Sequence, residues 1–433
     1  MKNIPLSLLF TCIISLPIEG FELNNEINGN PLTRLFSSVY LPKYEKIPEI
    51  NPDVDSSTLD MIERAGYPAE AHMITTVDGY ILEVHRIRGE PGSTPVLLQH
   101  GLLSSSADWV ITGKSKALAY LLADRGYDVW LGNARGNTYS RAHKTLSTTD
   151  SKFWDFSWNE MGLYDLPAVI EYITNLKNDS LVYVGHSMGT TMFYVMASKR
   201  PDIADRVRLM IALAPVAYLS HLKSPVKIIA PFADDIKLIA HFLGADEFLP
   251  QNILLKFLAR YGCEIDTLEE KICANSMFVI CGFDKAQFNE TLMPVILSHS
   301  PAGTSTKTLV HYGQEINSGR FQAYDYGASK NREYYNNTSP PDYDISRVKV
   351  PVALFVADND WLASSVDVDS LWKQLPNKIA MFRVQFPKFN HVDFLWGIDA
   401  PKLVYENVFT VVERYRNTNI KKISHAQFEI IRI

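Results

Sequence analysis

Three side chains far apart in this chain have the types needed for acyl transfer: a serine, a histidine and a carboxylate. Ser187 lies at the centre of Gly185-His186-Ser187-Met188-Gly189, after the apolar run Leu181 to Val184 and before a helix-like stretch from Thr190 to Lys199. A serine at a sharp strand-to-helix turn sits in a strained backbone, and the glycines beside it let strand and helix approach closely. Its hydroxyl is a weak nucleophile at neutral pH. It needs a histidine base, itself oriented and electrostatically supported by a carboxylate, and after such a turn the chain order is serine, acid, histidine. The apolar run Val352 to Ala357 leads into Asp358-Asn359-Asp360, and Ala380 to Phe386 leads into Pro387-Lys388-Phe389-Asn390-His391. His391 is the expected base. The acid is Asp358 or Asp360, which spacing alone does not separate, whereas Asp393 follows His391 too closely to reach round it. His186, His100 and His425 do not follow the acid suitably and are expected to be packing residues or, for His425, part of a tail. A tetrahedral intermediate also needs N–H donors for its oxyanion. One is expected from Met188, and Leu102 in Leu98-Gln99-His100-Gly101-Leu102 is the candidate for the second, an ordinary strand-to-helix turn being the other reading of that segment.

Side chains so dispersed need one edge on which to meet. Short apolar runs recur at Pro95 to Gln99, Tyr127 to Leu131, Leu181 to Val184, Leu209 to Leu213, Val352 to Ala357 and Ala380 to Phe386, separated by helix-like stretches. Strands alternating with helices imply an α/β fold with a mainly parallel central sheet, helices on both faces, and loops that meet at the carboxyl ends of the strands. Ahead of them, Ser57 to Ala65 reads as a capped helix, and His72 to Thr76 with Tyr80 to Ile87 as a hairpin around Val77-Asp78-Gly79. From Ala217 to about Pro341 the rhythm changes to helical spacing, as in Val226, Ile229, Ala230, Ile236, Ile239, Ala240 and Leu243, which reads as a helical insertion. The expected organisation is a leader (1–20), a core (21–216), the insertion (217–340), a return to the core (341–416) and a C-terminal extension (417–433).

Composition narrows the class. The chain has 433 residues, 46% hydrophobic and 21% charged, which suits a large globular domain with a sizeable core. The net charge is -6 and basic residues adjoin in nothing longer than a pair such as Lys421-Lys422, so a nucleic-acid partner is not expected. There is no HExxH, P-loop or dinucleotide fingerprint, so neither a metal nor an organic cofactor is expected. Lys2 followed by the apolar run Ile4 to Leu16 and then Gly20 reads as a secretory leader, and no later stretch is apolar enough for a membrane span. Beyond Cys12 in that leader, Cys263, Cys273 and Cys281 are odd in number, so two are expected to pair and one to stay a buried thiol. Sequons at Asn178, Asn289, Asn336 and Asn337 agree with the secretory route.

Several segments, in order, resemble the acid lipases of stomach and lysosome: Gln99-His100-Gly101-Leu102-Leu103, Gly126 to Asn133, Tyr164-Asp165-Leu166-Pro167-Ala168, Gly185-His186-Ser187 and His391-Val392-Asp393-Phe394. Within the insertion, Ile280 to Asp284, Ser300 to Ser305 and Phe321 to Asp325 also match. The resemblance spans about Asn51 to Arg416 and implies an α/β-hydrolase fold with a helical cap over an acyl pocket. It also implies hydrolysis of long-chain acyl esters such as triacylglycerols or sterol esters, with a lipid ester substrate at an oil–water or membrane interface and no protein partner. It selects Asp360 as the acid, Leu102 and Met188 as oxyanion donors, Cys263 and Cys273 as the disulfide and Cys281 as the free thiol. Two departures stand out: Met188 where the family has Gln, and the tail from about Asn417. A carboxylesterase acting on short soluble esters and a catalytically silent lipid-binding protein are the alternatives. The second is disfavoured because Ser187, Asp360 and His391 are all present.

Overall fold

The computed structural model describes residues 51–228, 230–233, 235, 246–249 and 280–416. The chain enters through helix α1 (Thr58–Arg64), where Ser57 and Asp60 form the expected reciprocal cap. Strands β1 (Ala69–Thr75) and β2 (Tyr80–Ile87) then pair antiparallel. Next come β3 (Pro95–Gln99), helix α2 (Leu118–Ala123), β4 (Asp128–Leu131), the two-residue β5 (Ala142–His143), helix α3 (Leu166–Lys177), β6 (Leu181–His186), helix α4 (Met188–Lys199) and β7 (Val207–Leu213).

The segment that interrupts the sheet contains a short pair of strands, β8 (Glu247–Phe248) and β9 (Thr304–Ser305), and helices α5 (Met293–His299), α6 (Thr306–Ser318) and α7 (Ala328–Tyr335). The described part of the insertion is therefore not wholly helical, as its spacing had suggested. The sheet resumes with β10 (Val352–Val356), helix α8 (Ser365–Gln374) and β11 (Lys378–Arg383), and helix α9 (Glu406–Arg416) follows.

The main sheet runs β1-β2-β4-β3-β6-β7-β10-β11, with β5 beside β2. From β4 to β11 every pairing is parallel. Every residue of β3, β4, β6, β7 and β10 is buried. That is the expected result for sequences such as Pro-Val-Leu-Leu-Gln and Val-Ala-Leu-Phe-Val in a sheet covered by helices on both faces.

Several boundaries differ from the sequence reading, and two bear on the site. Helix α4 begins at Met188, directly after Ser187, instead of at Thr190. Strand β11 starts two residues earlier than expected and ends three residues earlier, at Arg383, because the chain leaves the sheet toward the His391 loop once Val384 N–H has bonded to Val356 O at 2.9 Å.

Helix α6 docks the inserted segment on the core. His311 stacks on Trp158 with ring centroids 3.6 Å apart, and the Tyr312 hydroxyl lies 3.2 Å from Thr191 Oγ1 on α4. Among the described residues no helix is long and apolar enough to cross a membrane. Cys263, Cys273, the leader and the tail from Asn417 lie outside the described residues.

Candidate active site

Ser187 sits between the last residue of β6 and the first of α4 with φ 52° and ψ -119°, a backbone that a side chain adopts only under constraint. The constraint comes from packing. A Cβ on Gly189 would lie 2.4 Å from Gln99 O, and one on Gly185 would lie 2.9 Å from the Gly189 carbonyl carbon, so both close approaches require glycine. Ser187 N–H bonds to Leu213 O at 3.1 Å and ties the turn to β7.

The structure brings Ser187, His391 and Asp360 into one hydrogen-bonded line. His391 Nε2 lies 2.8 Å from Ser187 Oγ, and His391 Nδ1 lies 2.8 Å from Asp360 Oδ2. Asp360 Oδ1 accepts the amides of Leu362 at 2.9 Å and Ala363 at 2.7 Å. An ionised carboxylate only accepts, so the His391 proton sits on Nδ1 and leaves Nε2 free to accept from the serine hydroxyl. Asp358 is elsewhere: its side chain is exposed and pairs with Arg383, and its carbonyl accepts from Lys223 Nζ at 3.1 Å.

The two histidines expected as plain packing residues bond to the peptide groups beside this line. His100 is buried, and burial pushes its pKa down to about 4. Its Nε2 faces two donors, the Ala134 amide at 3.0 Å and Asn137 Nδ2 at 3.2 Å, so Nδ1 carries the proton and donates to Gly101 O at 2.8 Å. Gly101 C=O and Leu102 N–H belong to one peptide plane and point opposite ways, so this bond aims the Leu102 amide. His186, held neutral because burial and then the neighbouring His391 lower its pKa to about 3, places its Nε2 at 2.9 Å from His391 O. Its Nδ1 is buried without a partner, so Nε2 carries the proton and donates. The signal for both was adjacency: each histidine neighbours a residue whose main chain the chemistry would use.

Met188 is the first residue of α4, and the first amides of a helix have no acceptor within it. Gly101 packs against Ser187, a Cβ there lying 3.1 Å from Ser187 Cβ, so the Leu102 loop borders the hydroxyl.

A segment that the sequence reading had not singled out for the site joins the acid and base loops. Cys281 O lies 3.3 Å from Trp361 N and 3.5 Å from His391 N, and Asn359 Nδ2 donates to Phe283 O at 3.0 Å and Lys388 O at 2.7 Å. Cys281 itself is a buried free thiol, pushed above its ordinary range by burial and by nearby Asp360 and Asp393. Among the described residues no group of three or more His, Cys, Asp or Glu side chains is arranged to hold a metal ion.

Of the sequons, Asn178, Asn336 and Asn337 are exposed, and Asn178 and Asn336 end helices in the left-handed conformation. Asn289 is half-buried and caps its helical turn, accepting from Thr291 N–H at 3.2 Å.

Residues 58–113 match the family described as a partial alpha/beta-hydrolase lipase region, and residues 94–262 match the alpha/beta hydrolase fold. Strand order and these matches define an α/β-hydrolase. The human lysosomal acid lipase/cholesteryl ester hydrolase is 40% identical over 380 residues, 86% of this chain and 94% of that protein. Human gastric triacylglycerol lipase is 41% identical over 371 residues, 84% of this chain and 92% of that one, and Lipase 3 of Drosophila melanogaster is 43% identical over 364 residues, 82% and 92%. This chain belongs to the acid lipase family, whose members are carboxylic ester hydrolases.

Proposed function

We propose that this protein hydrolyses the ester bonds of long-chain acyl lipids, triacylglycerols or sterol esters, through an acyl-enzyme on Ser187. The observation that carries the reading is the unbroken line from Asp360 through His391 to Ser187, at 2.8 Å in each step. In the first half-reaction His391 Nε2 takes the Ser187 proton as Oγ attacks the ester carbonyl. Asp360 supports the imidazolium that forms, and the amides of Leu102 and Met188 receive the oxyanion. When the tetrahedral intermediate collapses, the C–O bond to the alcohol breaks and His391 returns the proton to the departing oxygen. Water, deprotonated by the same nitrogen, then attacks the acyl-serine, and collapse of the second intermediate releases the fatty acid and restores Ser187.

Residues 217–340 act in this reading as a cap that presents apolar surface to the lipid. Ile228, Phe232, Ile280 and Phe283 are large apolar side chains in this segment that remain exposed, which suits a surface that meets an interface. The names of the lysosomal and gastric relatives and the leader-like start support a secretory route, ending outside the cell or in a lysosome. Glycans at the exposed sequons and a Cys263–Cys273 disulfide belong to the same reading.

The test is release of fatty acid from emulsified triolein, cholesteryl oleate and a short soluble ester, from about pH 4 to about pH 8, a range that spans an ordinary histidine titration. Release by the parent and its loss in Ser187→Ala are expected. No release at any pH, or equal release by the variant, rejects the reading in favour of a silent lipid-binding protein. Turnover of the short ester alone marks a carboxylesterase.

A further inference from the structure

The turn that carries Leu102 is tied to the insertion by a carboxylate that the proposed chemistry does not use. Leu103, the next residue, has φ 59°, a left-handed backbone that a leucine keeps only when its surroundings impose it. Its carbonyl accepts the Ala302 amide at 2.7 Å, and the Ser104 carbonyl accepts from Asn137 Nδ2 at 3.4 Å. Ser104 Oγ donates to Asp108 Oδ2, and Ser300 Oγ donates to Asp108 Oδ1 at 3.2 Å. Asp108 lies on the helical turn Ser106–Trp109 that follows β3, whereas Ser300 and Ala302 belong to the insertion. One carboxylate thus joins the residue after Leu103 to the insertion, beside the contact that Ala302 makes with Leu103.

Asp108 is 4% exposed, and among the described residues no cation pairs with it. Burial pushes its carboxyl up to about 6, and the two serine hydroxyls act against that rise. A buried carboxylate without a cation destabilises a fold, so a neutral group of the same shape would serve packing better. What the carboxylate supplies is acceptor capacity: it receives two hydroxyl protons at once, one from each segment. The peptide before Leu102 is fixed separately, by His100 Nδ1 on Gly101 O.

We infer that Asp108 is a positioning residue for the oxyanion site, holding the turn from Leu102 to Ser104 in place by bridging Ser104 to Ser300 of the insertion; the inference rests on the ester-hydrolase reading of the Ser187 site. His100 sets the direction of the Leu102 amide from the sheet side, and Asp108 sets the position of the same turn from the insertion side. Without the bridge the strained backbone at Leu103 relaxes and carries the Leu102 N–H away from the oxyanion. Full negative charge appears on that oxygen only on the way to the tetrahedral intermediate. Loss of the bridge therefore shows in kcat and leaves KM nearly unchanged.

Initial rates on a short soluble ester at about pH 8, where Asp108 is ionised, test this in the parent, Asp108→Ala, Asp108→Asn and Ser300→Ala. Removing an oxyanion donor outright costs about a hundredfold to a thousandfold in kcat, so displacing one is expected to cost about thirtyfold in Asp108→Ala, with KM within about twofold of the parent. An asparagine accepts one hydroxyl and donates to the other, so Asp108→Asn is expected to stay within about threefold of the parent, with a urea midpoint no lower. Ser300→Ala cuts the bridge on the insertion side; a loss of about fivefold is expected, and no further loss when it is combined with Asp108→Ala. An alkyl boronic acid, which forms a tetrahedral adduct on Ser187 Oγ, gives a readout without turnover: its Ki is expected to rise in Asp108→Ala by about the factor that kcat falls. A kcat for Asp108→Ala within about threefold of the parent, an Asp108→Asn no better than Asp108→Ala, or an unchanged boronate Ki each overturns the inference. Should Asp108→Ala fail to fold, Ser300→Ala decides, since its hydroxyl is half-buried and small; a kcat equal to the parent's there overturns the inference. A parent that cleaves no ester overturns the hydrolase reading and the inference with it, whereas a parent whose activity is lost in Ser187→Ala keeps that reading whatever Asp108 does.

Discussion

Ser187 and His391 meet at 2.8 Å, yet the chain holds them by opposite means. Ser187 is fixed by its immediate neighbours: a fully buried strand before it, a helix directly after it, and two glycines that let these pack closely. His391 sits in a loop after β11 that contributes little structure of its own. It is held by His186 from the serine turn, by Asp360, and by the main chain of Cys281 and Gly282, more than a hundred residues earlier in the chain. The nucleophile side is local and dominated by backbone sterics. The acid–base side is assembled over long range from single hydrogen bonds, and the two sides should therefore break differently.

The largest effect expected is from Ser187→Ala, a fall of about a millionfold in kcat with unchanged unfolding, since serine hydrolases without their nucleophile fall on that scale. Asp360→Asn removes the acceptor that fixes the His391 tautomer, and about ten-thousandfold is expected. A pH–rate profile would show whether that variant recovers at high pH.

Gly189→Ala and Gly282→Ala then separate the two sides. At Gly189 the new Cβ meets Gln99 O, which belongs to a central strand, so stability is expected to fall along with activity. At Gly282, where φ is 115°, the Cβ would lie 2.2 Å from Asn359 O. The strain is of order 1–3 kcal/mol and falls on a loop, so activity should suffer more than the urea midpoint. Equal ratios of activity loss to stability loss in the two variants would remove the distinction between the two sides.

The effect expected to be smallest on activity concerns Glu315 on α6, a carboxyl at 1% exposure whose two oxygens have no hydrogen-bond partner among the described residues. Burial and then Asp367 raise its pKa well above the ordinary value, so the folded chain keeps a proton that the unfolded chain releases near pH 4.3. That contribution to stability is complete below the unfolded pKa and declines as pH rises, by up to about 1.4 kcal/mol per pH unit until the folded pKa is reached. Glu315→Gln is expected to flatten this slope, which urea midpoints near pH 5 and pH 8 would measure.

The same contrast decides what could be read from the sequence. Ser187 was legible because strand, turn glycines and helix are contiguous, and the parallel sheet because its strands are continuous apolar runs. The choice between Asp358 and Asp360 was open on spacing, because it depends on the path of a short loop after β10. In the structure Asp358 faces solvent and Arg383, while Asp360 turns inward to the amides of Leu362 and Ala363. His100 and His186 are buried, as expected of packing residues, but no pattern of apolar residues records which peptide group a histidine will bond. The tie between Gly282 O and Asn390 had no local signal at all, since the two are more than a hundred residues apart.

The inserted segment touches the core at more points than a cover would need. Ala302 N–H bonds to Leu103 O at 2.7 Å, and Thr138 N–H bonds to Ala302 O at 2.8 Å, beside the Leu102 amide. Cys281 and Gly282 reach the acid and base loops, and Tyr312 reaches the helix that follows Ser187. The segment is thus no interchangeable module. A chimaera that grafts another member's insertion onto this core is expected to keep its acid and base loops in place only if residues 280–283, 300–303 and 312 travel as native sequence. In the proposed reading the cap and the support of the acid and base loops are one stretch of chain, so neither can be redesigned without the other.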